Sequence, residues 1–97
     1  MSKIDHLQKA FESRVRLGIM SILIVNDWID YKTLKERLNL TDGNLASHIN
    51  GLEKLEFIDI NKGFIGKKTN TTYRVTELGK QKFKEHISAL EKLIKGM

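Results

Sequence analysis

Apolar residues recur at three- and four-residue steps in the first quarter of the chain, a spacing that predicts amphipathic helices. The first such stretch runs from Ile4 to Phe11. A second, from Arg14 to Val25, follows Ser13, a suitable N-capping residue, and is apolar on nearly every side. Helices of that kind are surrounded by the rest of a small protein. The pattern therefore predicts a buried central helix preceded by a short amphipathic one.

Two further helices are predicted in close succession. Residues 28–31, Trp-Ile-Asp-Tyr, favour a short strand, and residues 33–38 favour a helix. Asn39 tolerates the left-handed conformation in which helices end, and Thr41 is a suitable N-cap for a longer helix over residues 42–55. The apolar stripe of this longer helix consists of Leu45, Ile49, Leu52 and Leu55. A very short turn thus joins two helices.

The last part of the chain predicts a hairpin and a terminal helix. Residues 57–60 and 72–75 favour strands, and they flank a basic, glycine-containing segment from Lys62 to Thr71, which predicts a long hairpin. Thr76 is expected to cap a final helix, with Glu77 favourably placed in its first turn. We therefore expect an α+β domain over residues 1–76 and a separate helix over residues 77–97.

The charge distribution narrows the class of partner. The chain has 97 residues, a net charge of +5 and a pI near 9.6, which favours an anionic partner such as nucleic acid. Four basic residues, Lys62, Lys67, Lys68 and Arg74, lie in the acid-free stretch 61–75. A merely solvated loop usually mixes both signs of charge. We therefore expect this hairpin to contact phosphates.

The sequence lacks the residue patterns of metal, cofactor, catalytic and membrane-spanning sites. There is no cysteine, and the three histidines have no partner at metal-ligand spacing, so we expect surface histidines and neither a metal nor a cofactor. We expect Trp28 to be a core residue. No nucleophile and base can be paired, so an enzyme is not expected. No signal peptide or apolar span is present, so we expect a cytoplasmic protein without a membrane partner.

The order of predicted elements is that of a winged helix-turn-helix. Residues 34–54, LKERLNLTDGNLASHINGLEK, resemble the helix-turn-helix of the MarR and ArsR type bacterial and archaeal regulators, and residues 72–79, TYRVTELG, resemble the end of their wing. The resemblance implies a winged-helix fold with a C-terminal dimerisation helix. It also implies a transcriptional regulator, in our expectation a repressor, that binds double-stranded DNA. Asn39 and Glu56 stand where the family commonly has glycine, and a left-handed Glu56 would cost about 1–2 kcal/mol.

Candidate DNA contacts follow from the outward positions of the predicted recognition helix and from the wing. The resemblance places Asn44, Ser47 and His48 among the residues that meet DNA, whereas Asp42 is unfavourable near phosphate. The alternative is a solvated polar face. The full predicted set is Thr41, Gly43, Asn44, Ser47, His48 and Asn50 on the helix with Lys62, Lys67, Lys68, Thr69, Asn70 and Arg74 on the hairpin.

The terminal helix carries a second apolar stripe with the spacing of a coiled-coil seam. We predict a dimer interface made by Leu7, Phe11, Phe83, Ile87, Leu90, Ile94 and Met97. The alternative is that this stripe folds back on its own subunit or packs only against Leu7 and Phe11. A two-fold dimer would place recognition helices about 34 Å apart and require a palindromic operator.

Two other functions stay open from sequence. A winged-helix interaction module would bind an acidic protein surface with the same basic hairpin, and a ligand-responsive sensor would use the same dimer. The polar outer face from Asn44 to Asn50 favours DNA. The sequence identifies no effector.

Overall fold

The computed structural model describes residue 4 and residues 7–96, and its elements follow the winged-helix order. A 3₁₀ turn, Lys9–Glu12, precedes four helices: α1 (Arg14–Ile24), α2 (Tyr31–Leu38), α3 (Asp42–Lys54) and α4 (Glu77–Ile94). The strands are β1 (Ile29–Asp30), β2 (Ile58–Ile65) and β3 (Lys68–Val75), which form an antiparallel sheet in the order β1-β3-β2. The predicted α+β winged-helix fold is confirmed.

Each α-helix begins after an N-cap residue whose side chain accepts a backbone N–H of the first turn. Three of these N-caps were predicted correctly. Ser13 Oγ accepts the N–H of Val15 at 3.2 Å, while Thr41 and Thr76 each accept the N–H of the third residue beyond them. The start of α2 was predicted two residues too late. Asp30 is its N-cap, accepting the N–H of Thr33 at 2.8 Å, and this bond holds the pKa of the Asp30 carboxyl below its usual value.

The predicted amphipathic helix over residues 4–11 is wrong for the part the structure describes. The Gln8 side chain accepts the N–H of Ala10 at 3.4 Å and starts a 3₁₀ turn of only four residues. The extended backbone of Ser13 then ends that turn and begins α1. Because Phe11 lies in this turn, its ring is directed into the core, 5.6 Å from the Phe57 ring centroid.

Helix α1 is the centre of the core, as its composition predicted. It packs against the 3₁₀ turn, α2, α3 and β3. The fully buried side chains are Phe11, Ile19, Met20, Leu23, Leu34, Leu45 and Leu52, joined in the same cluster by Ile49, Phe57, Ile58, Tyr73, Val75 and Phe83.

Trp28 is not the core residue that was expected. It is 37% exposed and lies directly before β1, a two-residue strand at the edge of the sheet. The Arg74 guanidinium lies 4.5 Å from the centroid of the Trp28 ring. The indole therefore serves as a cation–π platform for the strand next to it.

The predicted long hairpin is confirmed, and its two strands extend further toward the turn than the sequence predicted. Strands β2 and β3 pair from Ile58 with Val75 out to Ile65 with Lys68, so only Gly66 and Lys67 form the turn. Gly66 has φ of 64°, and a glycine with positive φ at the first turn position suits the right-handed twist of a two-residue hairpin. The basic segment is therefore part of a hairpin that is paired up to its two-residue turn.

The residues of the predicted dimer interface fall into a buried group and a more exposed group. Phe83 is buried with its ring 5.5 Å from that of Phe11, so both side chains are core residues and their assignment to a dimer interface is corrected. Leu7 and Leu90 are half-buried, whereas Ile87 and Ile94 are exposed. Met97 lies outside the described residues.

Glu56 keeps the left-handed geometry at the exit from α3, with φ of 63°. The Phe57 N–H donates to the Leu52 carbonyl at 3.0 Å, which is the bond expected of a left-handed helix end. Glu56→Gly should therefore raise the free energy of unfolding by about 1 kcal/mol, measured by urea denaturation. Glu53→Gly, inside the helix, should lower it by about 1 kcal/mol as a control. A Glu56→Gly protein no more stable than the wild type would contradict this account.

His86 was expected at the surface, but it is buried, with 5% of its area exposed. Its Nδ1 accepts the Gln8 N–H at 3.0 Å, and its ring centroid lies 5.3 Å from that of Phe11. Burial lowers the pKa of the His86 imidazole below its ordinary value of 6.5. The neutral ring therefore ties the start of the chain to α4. The other predicted surface histidine near the N-terminus, His6, lies outside the described residues.

The lowered pKa of His86 makes stability depend on pH. Below pH 6.5 the unfolded chain takes up a proton that the folded chain refuses until its own lower pKa is reached. Stability should therefore fall with pH in that window, by at most about 1.4 kcal/mol per pH unit. Thermal midpoints at pH 7.5 and 5.5 should differ less for His86→Phe than for the wild type. An equal difference in the two proteins would refute this role of His86.

Candidate nucleic-acid interface

Helix α3 has the position of a recognition helix because its inner face is fixed by the core. Leu45, Ile49 and Leu52 are buried, and Asn39 ends α2 with φ of 51°, so that α3 begins after a three-residue turn. At 100° per residue, the outermost line of the helix opposite this stripe consists of Gly43, Ser47, Asn50 and Lys54. Of the predicted contacts, Gly43, Ser47 and Asn50 are thus the most prominent.

Two more of the predicted helix contacts, Asn44 and His48, lie on the flank nearer α1. His48 is half-buried, and its Nδ1 accepts the Nε–H of Arg16 at 3.1 Å. The guanidinium of Arg16 also lies against Gly51, where a Cβ would overlap it. Asn44 is on the same flank and exposed. Arg16 is therefore a cationic group beside the recognition helix that sequence analysis missed, because 32 residues separate it from His48.

The first turn of α3 carries an acid that is neutralised within the chain. Asp42 lies 3.0 Å from Lys35 Nζ and accepts the Tyr31 hydroxyl at 3.2 Å, and Lys35 holds the pKa of the Asp42 carboxyl below its usual value. The predicted contact Thr41 is exposed next to it. Lys35 therefore offsets the negative charge of Asp42, the acidic residue in the first turn of α3.

The wing has two faces, which its regular pairing defines. Residues directly opposite in the ladder share a face, so Ile60, Lys62 and Phe64 lie with Thr69, Thr71 and Tyr73. Tyr73 is buried against the core, and this face is turned toward α3. The opposite face carries the predicted contacts Lys68, Asn70 and Arg74, and Lys67 is in the turn.

A cleft of about 210 Å³ separates α3 from the wing. Its lining includes Ala46, Asn50 and Glu53 of α3, Lys62 and Thr71 of the wing, and the rings of Tyr31 and Tyr73. Burial raises the pKa of the Tyr73 phenol, with Tyr31 and Glu53 adding to the effect. The cleft is smaller than the usual pocket for a small-molecule ligand. Two predicted contacts, Asn50 and Lys62, thus face each other across it.

The basic residues of the wing differ in their partners. Arg74 lies 3.4 Å from its cross-strand neighbour Asp59 and stacks on Trp28, so this guanidinium is engaged at the base of the hairpin. Lys62, Lys67 and Lys68 are exposed and form no ion pair within residues 7–96. Of the four basic residues that the sequence analysis assigned to the wing, three have no acidic partner in the described structure.

Other kinds of site have little support in the described part of the chain. Residues 4 and 7–96 contain no group of three histidine, cysteine or acidic side chains placed to hold a metal ion. None of the described helices is long and apolar enough to cross a membrane.

Comparison with known proteins agrees with this geometry. Residues 15–94 match the family described as winged helix DNA-binding domain. An uncharacterized protein of Methanocaldococcus jannaschii is 36% identical over 89 residues, which is 92% of this chain and 97% of that protein. The structure of a transcriptional regulator homologue protein from Pyrococcus horikoshii OT3 superposes with a TM-score of 0.89 at 31% identity, covering 99% of this chain and 97% of the other.

Two larger proteins share the fold at 15% identity. The YusO protein from Bacillus subtilis has a TM-score of 0.76, with 96% of this chain and 65% of that chain covered. For the PcaV transcriptional regulator from Streptomyces coelicolor, solved with its natural ligand, the TM-score is 0.70 and the coverages are 92% and 64%. The resemblance inferred from residues 34–54 and 72–79 is thus confirmed in sequence and fold. The chain belongs to the winged helix DNA-binding domain family.

Proposed function

We propose that this protein is a transcriptional regulator that binds a palindromic operator in double-stranded DNA as a homodimer and represses by occluding that site. The observation that carries the proposal is the pairing of two surfaces across one cleft. The polar outer line of α3 borders one side of the cleft. The hairpin borders the other side with Lys62, and it also carries Lys67 and Lys68, which like Lys62 have no acidic partner in the described structure. A helix in the major groove and a basic hairpin on the neighbouring backbone use these two surfaces together.

Base reading is assigned to the outer line of α3 and phosphate contact to the wing. Asn50 and Asn44 carry amides that can bond adenine in bidentate fashion, and Ser47 carries a hydroxyl that accepts several partners. A Cβ added at Gly43 would meet no atom within 4 Å, so the surface there is open for close approach of the DNA backbone. Lys62, Lys67 and Lys68 supply charge without sequence information.

The homodimer is supported by the apolar residues that α4 leaves uncovered. Ile94 is 83% exposed and Ile87 is exposed one heptad earlier, while the half-buried Leu90 and Leu93 lie between them. Helix α4 has 18 residues, or about 27 Å of length, and the molecule extends 53 Å along its longest axis. An amphipathic helix end of this kind is covered by packing against its equivalent in a second subunit.

Selection of bound fragments from random duplex DNA tests the proposed function. The wild type should select an inverted repeat with half-sites about one helical turn apart and bind it far more tightly than unrelated DNA. Asn50→Ala should lose about fivefold or more in affinity for the selected site, with a smaller loss on unrelated DNA. Glu12→Ala, an exposed change in the 3₁₀ turn, serves as the control. Equal affinity for selected and unrelated duplexes would contradict specific regulation and favour the acidic-protein partner.

A further inference from the structure

The side of α3 that faces α1 holds an arginine against its surface. The Arg16 Nε–H donates to Nδ1 of His48 at 3.1 Å, and the guanidinium covers Gly51, three residues further along α3. A Cβ at position 51 would overlap this guanidinium, so a side chain there would displace it. Glycine within a helix is less favourable than alanine. The space that Gly51 leaves for Arg16 is therefore a reason for this glycine that helix stability does not supply.

The backbone of Arg16 is fixed independently of this contact. Arg16 is the third residue of α1, and Ser13 Oγ at the N-cap accepts its N–H at 3.4 Å. Ile19 and Met20, one turn later in the same helix, are completely buried in the core. The arginine therefore extends from a rigid element, which allows it to hold a side chain of the neighbouring helix in one orientation.

Arg16 also determines where the hydrogen lies on the His48 ring. A guanidinium has hydrogen-bond donors and no acceptor, so Nδ1 of His48 must accept through its lone pair. The hydrogen of the neutral imidazole then lies on the other ring nitrogen, Nε2. Within residues 7–96, Nε2 has no hydrogen-bond partner. His48 is only half-buried, so its Nε2–H is a donor for a partner from outside the chain.

A fixed donor restricts the bases that this ring can bond. In the major groove, purine N7, guanine O6 and thymine O4 are acceptors, whereas cytosine presents the donor group N4–H₂. With the hydrogen on Nδ1 instead, Nε2 would accept, and it would bond the amino groups of cytosine or adenine. His48 lies one turn after the proposed base reader Asn44 on the same flank of α3. The position of one hydrogen on this ring thus decides which base edge His48 prefers.

We propose that Arg16 is a positioning residue for base reading by α3. By occupying Nδ1 of His48, it keeps the ring in one orientation and one tautomer, so that the Nε2–H donates to a purine N7, a guanine O6 or a thymine O4 in each half-site. The proposal rests on the proposed function and names a determinant of its sequence preference. Arg16 acts through His48, so the preference depends on a residue outside the recognition helix.

The first measurement uses the free protein and does not depend on the proposed function. Proton–nitrogen correlation spectra of the imidazole rings distinguish the two tautomers, and His48→Ala assigns the signal. The wild type should show His48 as the Nε2–H tautomer, and Arg16→Ala should show a mixture of both. Gly51→Ala should give the same mixture with Arg16 and His48 still present, because the new methyl group displaces the guanidinium. A single Nε2–H tautomer in Arg16→Ala would overturn the proposal.

The second measurement compares affinities for the selected duplex and for its single base-pair substitutions. His48→Ala should lose a preference of about fivefold at one position of the half-site, as expected for one hydrogen bond. Arg16→Ala and Gly51→Ala should lose the same preference at the same position. The double variant Arg16→Ala, His48→Ala should discriminate no worse there than His48→Ala alone. Circular dichroism and thermal midpoints check that every variant is folded.

Arg14→Ala is the matched control, because Arg14 is exposed in the same turn of α1 and carries the same charge. It should keep the wild-type tautomer and the wild-type base preference. If Arg16→Ala instead weakens all duplexes alike and lowers the slope of log K against log salt by about 0.9, Arg16 is a phosphate contact. The positioning role is then wrong while the proposed function stands. A wild type that binds no duplex overturns the proposed function, and base reading by His48 with it, whatever the spectra show.

Discussion

Ile94→Asp should convert the proposed homodimer into a folded monomer. Ile94 is 83% exposed within one chain, so an aspartate there costs the isolated subunit little. In a seam between two copies of α4, the same aspartate would be an unpaired buried charge, which costs several kcal/mol. The two recognition helices would then no longer be linked, and affinity for a palindromic site should fall by about 100-fold or more. Light scattering and a mobility shift on the selected operator measure both effects.

The position of Ile94 makes this variant sharper than a change at the half-buried Leu90, which contributes to packing within the chain as well. Ser88→Asp provides the control. Ser88 is exposed on another side of α4, and an aspartate there adds the same negative charge as Ile94→Asp. It should remain a dimer and bind normally. An Ile94→Asp protein that is still a dimer with full operator affinity would exclude this helix end as the interface.

Removing the two lysines nearest the wing tip should change the salt dependence of binding. Lys67 and Lys68 are exposed, and neither forms an ion pair in the described part of the chain. If each neutralises one phosphate, the double variant Lys67→Ala, Lys68→Ala lowers the slope of log K against log salt by about 1.8. At 0.15 M salt this corresponds to an affinity loss of about 30-fold, which should be the same for specific and unrelated DNA.

The control for net charge is Lys84→Ala with Lys92→Ala, two exposed positions on α4. This double variant loses the same two charges but should keep the wild-type slope, because only local phosphate contacts release counterions. Fluorescence anisotropy from 50 to 300 mM salt provides the slopes. If both double variants reduce the slope equally, the wing has no local role and the effect is one of overall charge.

The local structure of this protein could be predicted from its sequence to a large extent. Ser13, Thr41 and Thr76 cap their helices as predicted, and Asn39 adopts the left-handed conformation. These features depend on hydrogen bonds between residues two or three positions apart, so neighbouring residue types are sufficient to specify them. The outward side of α3 was also predictable, since the period of the apolar stripe fixes it.

The distant partners of individual side chains were not predictable. His86 contacts Gln8 across 78 positions, and Arg16 contacts His48 across 32. From sequence alone, Arg74 was expected to contact phosphate, whereas the strand register places Asp59 directly opposite it and the two form an ion pair. Each of these pairs depends on the register and packing of separate elements, about which a local pattern contains no information.

By itself, the sequence determined the order of the elements, the N-caps of α1, α3 and α4, and which side of each helix is apolar, because these follow from residue types close together in the chain. Only the tertiary structure decided what covers each apolar side. The α4 stripe looked uniform in sequence, yet Phe83 packs on Phe11 within the chain while Ile94 remains exposed. Likewise, the sequence predicted a basic hairpin, but only its pairing out to the turn showed that Phe64 lies near the tip with its side chain exposed. Burial is a property of neighbours in space, and the packing of whole elements sets those neighbours.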